Sequence, residues 1–123
     1  MEKIYTPNAP EAIGPYSQAA VCGNIVFTSG QIAIDPKSGD LVAGDITAQT
    51  EQVMKNLGAV LEAAGSSFDK AIKTTCFLSD IGDFAKFNEV YGKYFSSKPA
   101  RSCVAVKALP KNALVEVEVI AKI

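Results

Sequence analysis

The C-terminal stretch Leu114–Ile123 alternates so strictly that it predicts a strand with one dry face and one wet face. Val115, Val117, Val119, Ala121 and Ile123 point one way, while Glu116, Glu118 and Lys122 point the other. Such a strand needs a second layer over its apolar row, and two helical patterns upstream can supply it. The first starts at Asp45, a side-chain cap. Ile46, Val53, Leu57, Val60, Leu61 and Ala64 then recur at helical spacing, and Gly65 stands where a glycine ends a helix. Ser79 or Asp80 caps a second helix over about Ile81–Phe95. Its Phe84, Phe87, Val90, Tyr91, Tyr94 and Phe95 form a broad apolar face that reads as core.

The other segments read as short strands and turns. A strand is expected at Lys3–Tyr5, before a loop over Thr6–Tyr16 broken by Pro7, Pro10 and Pro15. Ala19–Cys22 and Ile25–Ile32 flank Gly23-Asn24, a two-residue hairpin turn. Asp35–Gly39 is a further turn, and Ile72–Leu78 is rich in β-formers. Pro99 opens a strand over Ala100–Val106, and Leu109–Asn112 turns the chain into the last strand. After the short first stretch, the order β-β-α-β-α-β-β predicts an α+β fold, a mixed sheet with both helices on one face. The other face is open to two readings. The Glu116/Glu118 row suits water, but Ile120 continues that row and suits a subunit contact or a cleft.

Composition narrows the chemistry. With 123 residues, one domain over 1–123 is expected. A net charge of -1 gives no general pull toward nucleic acid or an anionic membrane. Apolar runs are short, and the first residues show no basic and apolar leader pattern, so a soluble cytoplasmic protein is expected. The chain has no histidine, which excludes Ser-His-Asp and Cys-His triads and His-ligated metals. Cys22, Cys76 and Cys103 are far apart and form no C-x-x-C, so neither a disulfide framework nor a zinc site is expected. Cys22 and Cys76 read as small apolar residues in or near strands.

Of the 12 basic residues only Arg101 is an arginine. A guanidinium fork differs from an ammonium where a planar carboxylate or phosphate is bound. Arg101 and Cys103 share one strand face. A short turn separates their strand from that of Glu116, so the two strands are expected to pair antiparallel. That would bring Arg101, Cys103 and Glu116 or Glu118 together, a set able to hold a small carboxylate and one water. Tyr16 and Ser29 are further candidates. An exposed Glu116 and a buried, inert Cys103 are the plainer alternatives.

The blocks A-P-E-A-I-G-P-Y-S-Q-A (Ala9–Ala19), T-S-G-Q-I (Thr28–Ile32), F-N-E-V-Y (Phe87–Tyr91), P-A-R-S-C-V (Pro99–Val104), L-P-K (Leu109–Lys111) and V-E-V-E-V-I-A (Val115–Ala121) resemble, in order and over essentially the whole chain, the Rid/YjgF family. The resemblance is to its RidA branch, which older usage calls endoribonuclease L-PSP or translation-inhibitor-like. It implies a chorismate-mutase-like α+β fold, assembled as a homotrimer with sites between subunits. It implies hydrolysis of 2-imino acids, such as 2-iminobutanoate and 2-iminopropanoate, to 2-oxo acids and ammonia, with no cofactor and no metal. By motif, Arg101 would clamp the substrate carboxylate. The backbone N–H and C=O of Cys103 would contact substrate and water, and Glu116 would orient or activate the water. Tyr16 would line the cleft, and Ser29, Gly30 and Asn88 would contact substrate. Ala105 stands where many relatives carry glutamate, and the Ser96–Lys98 segment is short.

Two other functions fit parts of the chain. An RNA-binding protein or endoribonuclease could use Lys86, Lys93, Lys98, Arg101, Lys107 and Lys111, against which stands only Glu89. The slightly acidic balance and the missing histidine speak against it, and no nucleic-acid or membrane partner is expected. A small-metabolite-binding or chaperone protein could use the same cleft without turnover.

Overall fold

The alternating C-terminal stretch forms the middle of the sheet. In the computed structural model, which describes Met1 to Ile123, the order is β1 (Glu2–Ile4), β2 (Ala19–Cys22), β3 (Ile25–Thr28), α1 (Ile46–Ala63), β4 (Ala71–Leu78), α2 (Phe84–Tyr94), β5 (Ala100–Ala105) and β6 (Val115–Lys122). The six strands make one sheet in the order β1-β2-β3-β6-β4-β5. Only the β4–β5 pair is parallel. Both helices cover one face, as the sequence predicts. Val115, Val117, Val119 and Ala121 are at most 1% exposed beneath them, beside Val53, Leu57, Val60, Leu61 and Phe87. No helix is long and apolar enough to cross a membrane.

Polar groups set the register between helix and sheet. Asp45 caps α1 by accepting from the Ala48 N–H at 3.1 Å, and Gly65 ends it at φ +81°, where a Cβ would be strained. The buried Asn56 amide donates to the carbonyls of Ile32 and Ile34, at 3.1 and 2.9 Å. The Gln49 Oε1 accepts from the Leu114 N–H at 2.9 Å. Through these bonds α1 pins the chain after β3 and the entry to β6.

Several boundaries differ from the sequence expectation, each for a local reason. The first strand lies one residue earlier, at Glu2–Ile4. β3 ends at Thr28, where the Thr28 hydroxyl instead of a main-chain carbonyl accepts from the Val119 N–H at 3.0 Å, and pairing with β6 resumes only at Gln31. The second helix begins at Phe84, since Asp80 spends its carboxylate on Gly82 N–H in a 3₁₀ turn over Ile81–Asp83. Phe84 is therefore 37% exposed and lies outside the core.

The larger correction concerns β5. It does not pair with β6, because β4 lies between them. Two parallel strands need a long crossover, and α2 supplies it from β4 to β5. The register then decides which way each side chain faces. Thr74 stands opposite both Arg101 and Val119, and Cys76 opposite both Cys103 and Val117. Arg101 and Cys103 therefore face the helix side. Phe77 stands opposite Val104 and Glu116, and Thr75 opposite Ser102 and Glu118. Both glutamates thus lie on the helix-free face. Ile120 has company there, for Phe27 and Val104 are 44% and 46% exposed on the same face.

Candidate functional site

The sheet divides the candidate residues into two groups. The first gathers where β3 gives way to the loop. The Gly30 backbone passes so close to Glu116 that a Cβ there would come 2.7 Å from the Glu116 Cδ. The absence of a side chain at Gly30 is what lets the carboxylate lie where it does. Tyr16, Gly30, Pro110 and Glu116 line a small cavity of about 60 Å³, closed by Ile13 and Ile32. The same four residues with Ser29 and Glu118 line a wider depression of about 490 Å³. Tyr16 is 47% exposed, and its Oη accepts from the Ile13 N–H at 3.3 Å. The Ser29 hydroxyl donates to the Ser17 carbonyl at 2.5 Å, which leaves its oxygen free to accept.

One buried side chain holds this wall in place. The Gln18 Oε1 accepts from the Thr6 N–H at 2.7 Å, and its Nε2 donates to the carbonyls of Thr6 and Pro10 at 3.1 and 2.8 Å. Gln18 thereby staples the proline-rich loop that carries Ile13 and Tyr16. Its residue type gave no sign of that role in the sequence.

Glu116 has no hydrogen-bonding or ionic partner of its own. Burial raises its carboxyl above the ordinary range, and the neighbouring Glu118 charge raises it further. A carboxyl raised in this way holds a proton more readily than a free one and can both take up and return it. Alanine at Gly30 would displace this group without touching the core. Gly30→Ala is expected to leave the melting temperature within a few degrees of wild type and, for a reaction that uses this carboxylate, to lower turnover by at least about tenfold. Thermal unfolding and a turnover assay on one preparation check this.

The second group sits on the helix side, at the sheet edge. Arg101 donates from Nη1 to the Asn88 Oδ1 at 2.7 Å. Its guanidinium carbon lies 4.7 Å from the Tyr91 ring centroid and 5.5 Å from that of Phe84. No carboxylate answers it, since the one ion pair in the molecule joins Lys93 to Glu51. A guanidinium has five N–H donors, so most of the fork remains free for a planar anion. Beside it, burial raises the Cys103 thiol, against smaller lowering effects of Arg101 and Cys76. Burial pushes the facing Cys76 up to about 12. Neither thiol is a ready nucleophile at neutral pH.

Tyr16, Ser29, Gly30 and Glu116 thus come together, as do Asn88, Arg101 and Cys103. The expected meeting of Arg101 and Cys103 with a glutamate does not occur within one copy. The two groups lie on opposite faces, with β4 between their strands. Sequence reasoning read Tyr91 only as core, although its spacing of three from Asn88 on a helix places both on one side of α2. The basic residues are spread over several elements. Lys86 and Lys93 lie on α2, Lys93 is held by Glu51 at 2.7 Å, and Lys107 and Lys111 belong to the β5–β6 connection.

Comparison with known proteins agrees with this fold. A family model described as Endoribonuclease L-PSP matches residues 6–123. A RutC family protein of Pyrococcus horikoshii is 58% identical over 121 residues, covering 98% of this chain and 96% of that protein. The human protein named 2-iminobutanoate/2-iminopropanoate deaminase is 48% identical over 119 residues, covering 96% of this chain and 87% of its own length. The crystal structure of RidA from an Antarctic Psychrobacter species is 45% identical, with a TM-score of 0.96 and 100% of each chain covered.

Proposed function

The chain belongs to the endoribonuclease L-PSP family, whose members are also named Rid and RutC proteins, and from that membership and the site geometry we propose that it hydrolyses small 2-imino acids to 2-oxo acids and ammonia. It acts as a single domain over residues 1–123, in a homotrimer, with each site built from two copies. Three free cysteines suit the reducing cytoplasm in which we place it.

The observation that carries the reading is the pair of incomplete half-sites. Arg101 has a largely free guanidinium fork and no carboxylate partner, and Glu116 lies unpaired beside a depression with no basic residue in its lining. They face opposite sides of one sheet, so one copy cannot bring both to a small molecule. A second copy that lays its own helix-free face against the first copy's β5 edge can set its Glu116 group against the first copy's Arg101 group. Phe27, Phe77, Val104 and Ile120 provide the apolar area for that contact.

In the assembled site the substrate carboxylate lies on the Arg101 fork. β5 is an edge strand, and the Cys103 main-chain N–H and C=O are assigned to substrate and water. The protonated C=N carbon is already electrophilic. Glu116 takes a proton from water as its oxygen bonds to that carbon, then returns the proton to the nitrogen. As the C–N bond breaks and ammonia leaves, the Glu116 carboxylate, ionised again, takes the hydroxyl proton and passes it to the departing ammonia, and the 2-oxo acid remains. Tyr16, Ser29 and Gly30 shape the wall around the imine, and Asn88 holds the guanidinium for the carboxylate.

A dehydratase acting on threonine, assayed with and without this protein, tests the reaction. Faster release of 2-oxobutanoate on addition of the protein supports the reading, and an unchanged rate refutes it. The pH profile gives a second test. Glu116 works as a base when ionised, so the acid limb of kcat/KM follows its raised pKa. Glu118→Gln removes a like charge and lets that pKa fall, so the limb is expected to move to lower pH. A profile fixed in place would mean that another group sets it.

A further inference from the structure

We infer that Tyr91 is a positioning residue for the substrate carboxylate's receptor: its ring is the surface on which the Arg101 guanidinium lies. The inference rests on the carboxylate-clamp reading of Arg101. An arginine on an edge strand has a long, rotamer-rich side chain, and bidentate binding requires that the plane of its fork be fixed. The hydrogen bond to Asn88 fixes one nitrogen and leaves rotation about that point. The Tyr91 face, 4.7 Å from the guanidinium carbon, removes that freedom.

The ring is itself held from two sides. Its Oη lies 2.7 Å from the Thr74 Oγ1, and Thr74 is fully buried on β4, directly opposite Arg101 in the register. Behind it the Phe95 ring stacks at 4.6 Å between centroids and 26° between planes. Tyr91 is 8% exposed, so it has no room to swing away. The strand neighbour of Arg101 therefore anchors the plate on which Arg101 rests. Phe84, on the other flank, is farther away and partly in solvent.

This arrangement separates two roles that a core tyrosine would combine. The hydroxyl serves stability through Thr74, and the ring face serves affinity through Arg101. Titration calorimetry with 2-oxobutanoate, beside thermal unfolding of the same samples, reads both. Tyr91→Leu is expected to raise the Kd about three- to thirtyfold, the range of a partly desolvated cation–π contact. Tyr91→Phe keeps the ring, so its Kd is expected to stay within about twofold of wild type, while its melting temperature falls because the buried Thr74 hydroxyl loses its partner. If Tyr91→Leu does not fold, Tyr91→Met fills more of the space without a ring and carries the same expectation.

A Kd that tracks stability in both variants, or one that Tyr91→Leu leaves unchanged while Arg101→Ala raises it, overturns the inference and leaves the clamp intact. Wild-type affinity in Arg101→Ala removes the clamp itself, and the role of Tyr91 falls with it.

Discussion

Arg101→Ala is expected to lower kcat/KM for the proposed imine hydrolysis by about 10²–10⁴ while leaving the fold in place. Charge-assisted hydrogen bonds contribute roughly 1.5–3 kcal/mol each, and the fork offers two to a carboxylate. The side chain makes one hydrogen bond within its own copy, to Asn88, and lies at the sheet edge, so little of the core depends on it. Arg101→Lys is expected to recover only part of the loss, because an ammonium restores charge but not the planar fork. Steady-state kinetics with circular dichroism on each variant checks both. Wild-type kinetics in a folded Arg101→Ala protein would leave a non-catalytic binding protein as the better description.

Glu116→Gln is the second large effect, and it should cost activity without costing stability. Removing a general base lowers turnover by about 10²–10⁴. Burial and Glu118 raise Glu116 above its unfolded value, so the folded state binds that proton more tightly than the unfolded chain does. At neutral pH the ionised carboxylate is therefore a burden on the fold, and a neutral amide of the same shape relieves it. The variant is expected to unfold at the same or a higher temperature than wild type at pH 7. Its advantage should disappear as the pH falls below the unfolded carboxyl value, where both forms are neutral. Denaturation across that range, read against turnover, tests the two halves together. A variant that is both unstable and inactive would make Glu116 a structural residue.

Much of the fold was legible because its elements carry their signals locally. The β6 alternation, the Asp45 cap, the α1 apolar stripe and Gly65 each follow from residues within a few positions of one another. Pairing was not legible in this way. Whether β5 joins β6 or β4 depends on the crossover that α2 makes, and a short turn between two strands does not reveal it. That one pairing decides where the chemistry points. With β5 beside β4, Arg101 and Cys103 face the helices while Glu116 faces away. The candidates thus fall into two groups on opposite faces, where the sequence reading expected Arg101 and Cys103 to meet a glutamate. The motifs gave Arg101, Glu116 and Asn88, and the helix spacing in F-N-E-V-Y already placed Tyr91 near Asn88. Gln18 had no such signal, since its role lies in backbone groups up to twelve positions away.

The division of the site between two copies is the account's central claim, and subunit mixing tests it most directly. Arg101→Ala and Glu116→Gln chains, each nearly inactive alone, are unfolded together in equal amounts and refolded into mixed trimers. Where the Arg101 of a Glu116→Gln chain meets the Glu116 of an Arg101→Ala chain, a wild-type site is restored, and random assembly makes about one site in four of this kind. Activity should therefore return to about a quarter of wild type after mixing and not before. Mixed trimers no more active than their parents would place Arg101 and Glu116 in the service of different sites and contradict the account.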